Sequence, residues 1–148
     1  MIRLAKPSDI EQSVELGRQM YQQSIYSKYP WDNEKATNMA LRYGKDSDKL
    51  FLVKEHDDRI VGFLLANIGY HFYGPAKVAY EQLFYIHPMH RGGSTAVRMM
   101  KKLEHWARFN ECDLICFGQS AEGVDDRWNK FCQNLGYSPV GTTFFKDL

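Results

Sequence analysis

The residues in this chain best suited to binding chemistry are Arg91-Gly92-Gly93-Ser94-Thr95-Ala96, which follow the apolar stretch Tyr85-Ile86-His87-Pro88 and lead into a basic, amphipathic run. They have the makings of an anion site. Glycines let backbone N–H groups approach a phosphate closely, a helix N-terminus leaves amides unpaired, and the helix dipole adds partial positive charge. Arg91 adds a full one. No Gly-Lys-Ser/Thr follows the glycines, which sets the turn apart from a Walker-type phosphate loop. A simple strand-to-helix turn with an N-cap is the other reading of the same residues.

Such a turn needs a strand before it and a helix after it. Residues 2–5 read as a short first strand, and Lys6-Pro7-Ser8-Asp9 as a turn whose Ser8 or Asp9 can cap a helix. Val14, Leu16, Met20 and Tyr21 then repeat at helical spacing to about Ser24, and a second helix runs from Asp32 or Asn33 to Tyr43. Residues 50–55 and 60–68, joined by His56-Asp57-Asp58-Arg59, read as a β-hairpin. The strand that feeds the turn spans 77–86. The helix that leaves it spans about 94–110, with Ala96, Met100, Leu103 and Ala107 forming one buried stripe. A short strand at 113–117, a last helix at 125–135 ended by Gly136, and one or two closing strands over 137–146 complete the expectation.

With 148 residues, 44% of them hydrophobic, the chain is sized for one domain over 1–148 with a real core. Lys+Arg 19 against Asp+Glu 18 gives no bulk attraction to nucleic acid or to a membrane, so any basic site is local. Three cysteines lack paired metal spacing, His87 and His90 have no second ligand cluster with them, and no apolar leader precedes Ile2. The expectation is a reduced, cytoplasmic protein without a metal. No apolar run approaches the ~20 residues that span a bilayer.

The order of elements, the Pro-x-x-Arg-Gly turn at Pro88-Met89-His90-Arg91-Gly92, and Leu135-Gly136-Tyr137 closing the last helix together resemble the GNAT family of acetyl-CoA-dependent N-acetyltransferases. The similarity spans essentially the whole chain. The family's turn reads Arg/Gln-x-x-Gly-x-Gly/Ala; here Arg91 and Ala96 match, and Ser94 stands in the place of the central glycine. The resemblance implies an α/β fold of three α-β-α layers, with a mixed, mostly antiparallel sheet splayed between its fourth and fifth strands. It implies acetyl-CoA as cosubstrate. Amides of Arg91, Gly92, Gly93, Ser94, Thr95 and Ala96 would hold the pyrophosphate, and the backbone of Tyr85 and Ile86 would pair with the pantetheine arm. Asp125 stands where many members carry an asparagine that touches the same arm. The implied reaction is direct acetyl transfer to a primary amine, of a small molecule or a peptide, in a ternary complex. A non-catalytic acyl-CoA-binding sensor or assembly module with the same fold is the alternative.

Acetyl transfer requires a neutral amine, a polarised carbonyl and a protonated leaving thiolate. By the resemblance, a backbone N–H of Tyr85 or Ile86 polarises the carbonyl, and Glu81, four residues before Tyr85, is the base. Strict alternation would put Glu81 and Tyr85 on one face of the strand, with the carboxyl raised toward neutrality by desolvation among Tyr80, Leu83 and Phe84. A solvated or ion-paired glutamate is the other reading. The family's usual acid, a tyrosine four residues before the closing glycine, is replaced by Cys132. Its thiol could protonate the thiolate, accept the acetyl group covalently, or pack as a small hydrophobe. Tyr137 is a second candidate acid. Arg98, Lys101 and Lys102 either meet the adenosine 3′-phosphate or form a solvated face.

In this family the acceptor is met by the loops after the first helix and after the third strand. Both are aromatic here: Tyr26, Tyr29 and Trp31 in one, Tyr70, His71, Phe72 and Tyr73 in the other. Tyr29, Trp31 and Tyr73 are the candidate contacts, holding a cation by its charge or an apolar body by area. Asp32 and Glu34 could steer an amine, and Asp32 equally suits a helix cap. The same aromatics suit a lid over the sheet or the surface of a homodimer.

Overall fold

The computed structural model describes residues 1–118 and 126–148. Its order is β1 (Ile2–Leu4), α1 (Ile10–Gln22), α2 (Asn33–Lys45), β2 (Lys49–His56), β3 (Arg59–Tyr70), β4 (Lys77–Ile86), α3 (Thr95–Phe109), β5 (Leu114–Cys116) and α4 (Asp126–Asn134). Local chemistry explains the boundaries. Asp57 and Asp58 close the β2–β3 hairpin at φ 48 and 58, the paired left-handed geometry that matches the twist of the flanking strands. Asp32 caps α2, its carboxylate accepting the Lys35 N–H at 2.9 Å. The buried Asp9 carboxylate, 2.6 Å from Arg3, ties β1 to the start of α1.

The five strands lie in the order β1-β2-β3-β4-β5, antiparallel except for the parallel β4–β5 pair. Alternation sends Phe51, Val53, Phe63, Leu65 and Tyr85 toward α1 and α2. It sends Leu50, Leu52, Leu64, Ala66 and Ile86 toward α3, where they meet Met99 and Leu103. The result is the expected three-layer α/β arrangement. No helix among the described residues is long and apolar enough to cross a membrane.

Two features of β4 shape the space on either side of it. It pairs with β5 only at Val78, Ala79 and Tyr80, so residues 81–86 have no partner strand on that side among the described residues. This is the expected splay. The second is a bulge against β3: Leu65 faces Leu83, but Ala66 faces Glu81, leaving Gln82 as the extra residue.

The bulge corrects one expectation. One inserted residue reverses the parity of a strand, so Glu81 lies with Ala66 on the α3 side while Tyr85 lies with Phe63 on the α1/α2 side. A second correction concerns the C-terminus, because 138–148 forms neither strand nor helix. Gly136, at φ 89, turns the chain away from α4, and Pro139 lacks the N–H a ladder needs. The segment instead crosses to the α1–α2 linker. Asp147 pairs there with Lys28 and accepts the Tyr29 hydroxyl at 2.8 Å, and Phe145 meets the Tyr26 ring edge-on.

Candidate active site

The unpartnered edge of β4 runs directly into the glycine turn. Gly92 and Gly93 sit at φ 90 and 58, a region other residues rarely adopt, and a Cβ on either would meet nothing within 4 Å. The turn is therefore open to a ligand. Ser94 precedes α3 without a capping bond from its hydroxyl, and the first helical hydrogen bond is from Arg98 N–H to the Ser94 carbonyl at 2.9 Å. The amides of Thr95, Ala96 and Val97 thus lack intrahelical partners. Arg91 folds back over β4: its Nε donates to the Ile86 carbonyl at 2.8 Å, and its guanidinium carbon lies 5.3 Å from the centre of the Tyr85 ring. That leaves its terminal N–H groups for an anion. Arg98, Lys101 and Lys102 are exposed further along α3.

On the α3 side of the splay, Glu81 bridges the two strands, its Oε2 accepting the Gly118 N–H at 3.1 Å. Burial pushes its carboxyl up to about 7, and the Gly118 hydrogen bond opposes that rise. Aromatic rings close the same region: Phe84 packs on Phe117 and Trp128, and Trp128 stacks on Phe131. Cys132 is half-buried beside them. Its thiol is pushed up first by burial and then by the neighbouring Glu81 charge. Tyr137 turns onto α3, its hydroxyl donating to Glu104 Oε1 at 3.3 Å. Burial, then the Glu104 charge, raises the phenol well above its ordinary range. A phenol so held is a poor proton donor. Asp125 lies outside the described residues.

On the opposite side, a cavity of about 790 Å³ lies between α1, α2 and the sheet, with Met20, Trp31, Met39, Phe63 and Leu83 among its walls. Of the three expected acceptor contacts, only Trp31 lines it. Tyr29 is half-exposed and tied to Asp147, and Tyr73 is 94% exposed at the tip of the β3–β4 loop. Among the described residues no three His, Cys, Asp or Glu side chains converge on a metal site.

The family model described as acetyltransferase (GNAT) family matches residues 15–137. The chain belongs to the GNAT family. Solved structures agree with this GNAT chain in fold. They include the aminoglycoside N-acetyltransferase AAC(6′)-Iy in complex with CoA, at TM-score 0.76 and 15% identity over 100% of this chain and 98% of that one. A ribosomal-protein-alanine N-acetyltransferase from Brucella melitensis biovar Abortus 2308 matches at TM-score 0.70 and 16% identity, over 100% and 99%. A transcriptional regulator from Bacillus halodurans C-125 matches at TM-score 0.79 and 19% identity, over 100% and 99%. A comparison with curated proteins gives no match.

Sequence reasoning about this GNAT chain missed two contacts. The Gly118 N–H on Glu81 had no signal, because nothing local relates a residue after β5 to one in the middle of β4. The Arg91 bond to Ile86 was equally silent. The aromatic wall had a signal, since Phe84, Phe117, Trp128 and Phe131 sit on elements that the fold brings side by side.

Proposed function

We propose that the chain is an N-acetyltransferase that uses acetyl-CoA and passes the acetyl group directly to a primary amine in a ternary complex. The observation that carries this reading is the juxtaposition at β4: an unpartnered strand edge, a glycine turn with open amides at one end, and a carboxyl with its pKa near 7 at the other. Family membership and a CoA-bound structural neighbour support it.

The residues fit the cosubstrate. An edge strand offers hydrogen bonds to an extended, amide-bearing arm, which Tyr85 and Ile86 would contact through their backbone. The amides from Gly92 to Ala96 and the terminal guanidinium N–H groups of Arg91 suit a pyrophosphate, whereas the expected Arg91 amide is already donating to the Pro88 carbonyl at 3.3 Å. Acetyl-CoA, when bound, supplies a thioester as the electrophile. Glu81 removes a proton from the amine, through a water molecule at the strand edge, because a carboxylate with pKa near 7 is a competent base at neutral pH. The N–H of Ile86, which the register turns to the unpartnered edge while that of Tyr85 faces β3, donates to the carbonyl oxygen as charge builds there. The nitrogen–carbon bond forms, the carbon–sulfur bond breaks, and the departing thiolate takes a proton from water at the open strand edge, with the Cys132 thiol beside Glu81 a weaker second donor. Its raised pKa opposes a thiolate nucleophile, and so opposes an acetyl-cysteine route.

Release of free CoA across a panel of primary amines is the test. Turnover with at least one amine, abolished by Glu81→Gln, supports the reading. Acetyl-CoA protection against thermal unfolding without turnover on any amine would favour the sensor or assembly module instead.

A further inference from the structure

Resting on that acetyltransferase reading, we infer that the acceptor is a primary amine carried on an apolar body, which lodges in the cavity beneath α1 and α2. The cavity's volume of about 790 Å³ lies within the ~300–1,000 Å³ range of small-molecule sites. Its walls are mainly apolar. Leu83 belongs both to the wall and to the unpartnered stretch of β4, so a body lying against Leu83 brings its amino group to the edge beside the acetyl donor.

Charge argues against a polycation. The lining carries two carboxylates, Asp32 and Glu34, against two cations, Lys35 and Arg42, and one oxygen of Asp32 is already accepting the Lys35 backbone N–H. Several ammonium groups would find only the Glu34 carboxylate and the second Asp32 oxygen to meet their charge, with Lys35 and Arg42 competing for both, a costly arrangement away from water. One ammonium that loses its proton on the way to reaction meets no such penalty.

Gly17 points to the cavity as a kept space rather than a packing accident. It lies inside α1, where glycine costs roughly 0.5–1 kcal/mol relative to alanine. A Cβ there would meet only the Trp31 ring, at an ordinary 3.8 Å, so packing does not demand the missing side chain. A larger residue would project into the cavity.

The test is calorimetric titration of hexylamine, 2-phenylethylamine and neamine into the full chain saturated with CoA, beside Gly17→Leu. The expected result is binding of the two apolar amines, weakened at least tenfold by Gly17→Leu, with the thermal shift produced by CoA unchanged. Ala36→Leu, which fills the same cavity from α2, replaces Gly17→Leu if that variant fails to give a cooperative thermal transition. Neamine binding more tightly than either apolar amine, no binding of the apolar amines, or affinity within twofold of the parent in a folded cavity-filled variant would each overturn the assignment. The two readings fail separately. Apolar amines that bind while no amine of the panel is acetylated sink the acetyltransferase and leave the cavity assignment standing, whereas turnover of other amines with no binding of the apolar ones does the reverse.

Discussion

The α3 side of the sheet and the α1/α2 side receive the same strands and use them differently. Toward α3, Leu64, Met99 and Leu103 are completely buried, and the middle of β4 offers that side the Glu81 carboxyl, engaged by a backbone amide. Toward α1 and α2 the sheet stops short of filling the space, leaving a cavity bounded by Met20, Trp31 and Leu83. The Gln82 bulge divides the two, because it lets Glu81 serve one side while Leu83 and Tyr85 serve the other. This division shows how a shared fold can admit one donor and many acceptors. On the proposed reading, donor recognition rests on main-chain amides and glycine geometry, which vary little with side-chain identity. Acceptor recognition rests on side chains around a void.

The largest effect should come from removing the carboxyl that the bulge sends to the α3 side. Glu81→Gln is expected to lower turnover by roughly 10²–10⁴-fold, the usual worth of a general base, while acetyl-CoA still protects the protein against heat. Unchanged turnover across a pH series would place the base elsewhere, on the α1/α2 side or in the solvent. Packing provides the next contrast. Leu103→Ala, in the filled layer, should cost about 2–5 kcal/mol of unfolding free energy in a urea titration. Leu83→Ala, half-buried on a wall that already faces a void, should cost about 1 kcal/mol, since little surrounding structure loses contact. Equal costs would mean that the two faces are packed alike. For the donor end, Arg91→Glu puts a negative charge beside the open turn and should weaken CoA by roughly 10–100-fold in calorimetry. Unchanged affinity would remove the turn from the donor site.

The glycine turn and the strand edge were legible in the sequence for the same reason that they are made of backbone. Gly92, Gly93 and the switch from strand to helix are local signals, and the edge of β4 follows from element order once β5 is placed. The stripe through Met100, Leu103 and Ala107 follows from helical period alone, and all three are buried. Parity was not legible. A bulge changes no residue type, and Tyr80-Glu81-Gln82-Leu83-Phe84 carries no glycine or proline to mark it, so alternation alone put Glu81 and Tyr85 on one face. The directions of the loop aromatics were hidden for another reason. Aromatic residues in loops announce area but not direction: Trp31 turns under the linker into the cavity, Tyr29 turns to Asp147, and Tyr73 faces solvent. The C-terminal segment misled because 137–146 has residues that strands favour and a proline that a ladder does not accommodate.

A smaller effect separates the electrostatics of Glu81 from its chemistry. In the folded chain its carboxyl keeps the proton up to about 7, whereas the unfolded chain releases it near ~4.3. Between those values the folded state binds more protons than the unfolded one, so this group's contribution to stability falls as pH rises and is lost above 7. Glu81→Gln cannot ionise and keeps an oxygen for the Gly118 N–H. Its melting temperature should therefore gain on the parent's between pH 5 and pH 8, by roughly 5–10 °C. A constant difference between the two proteins would mean that Glu81 is solvated, and the α3 side would lose the feature that most distinguishes it from the cavity side.

The smallest expected change is at Cys132. Its thiol is half-buried within electrostatic reach of the Glu81 carboxyl, and burial makes loss of its proton harder. A thiol in that state is a weak donor, and water at the open strand edge can supply the same proton to a departing thiolate. Cys132→Ala should therefore lower turnover by less than about tenfold, below the usual range for a general acid, and leave no acetyl adduct to be lost when intact protein is mixed with acetyl-CoA alone and weighed by mass spectrometry. A larger loss, restored as pH falls, would make Cys132 the acid outright. An adduct present in the parent and absent from the variant would replace direct transfer with a covalent relay, and the α3 side would then hold the nucleophile as well as the base.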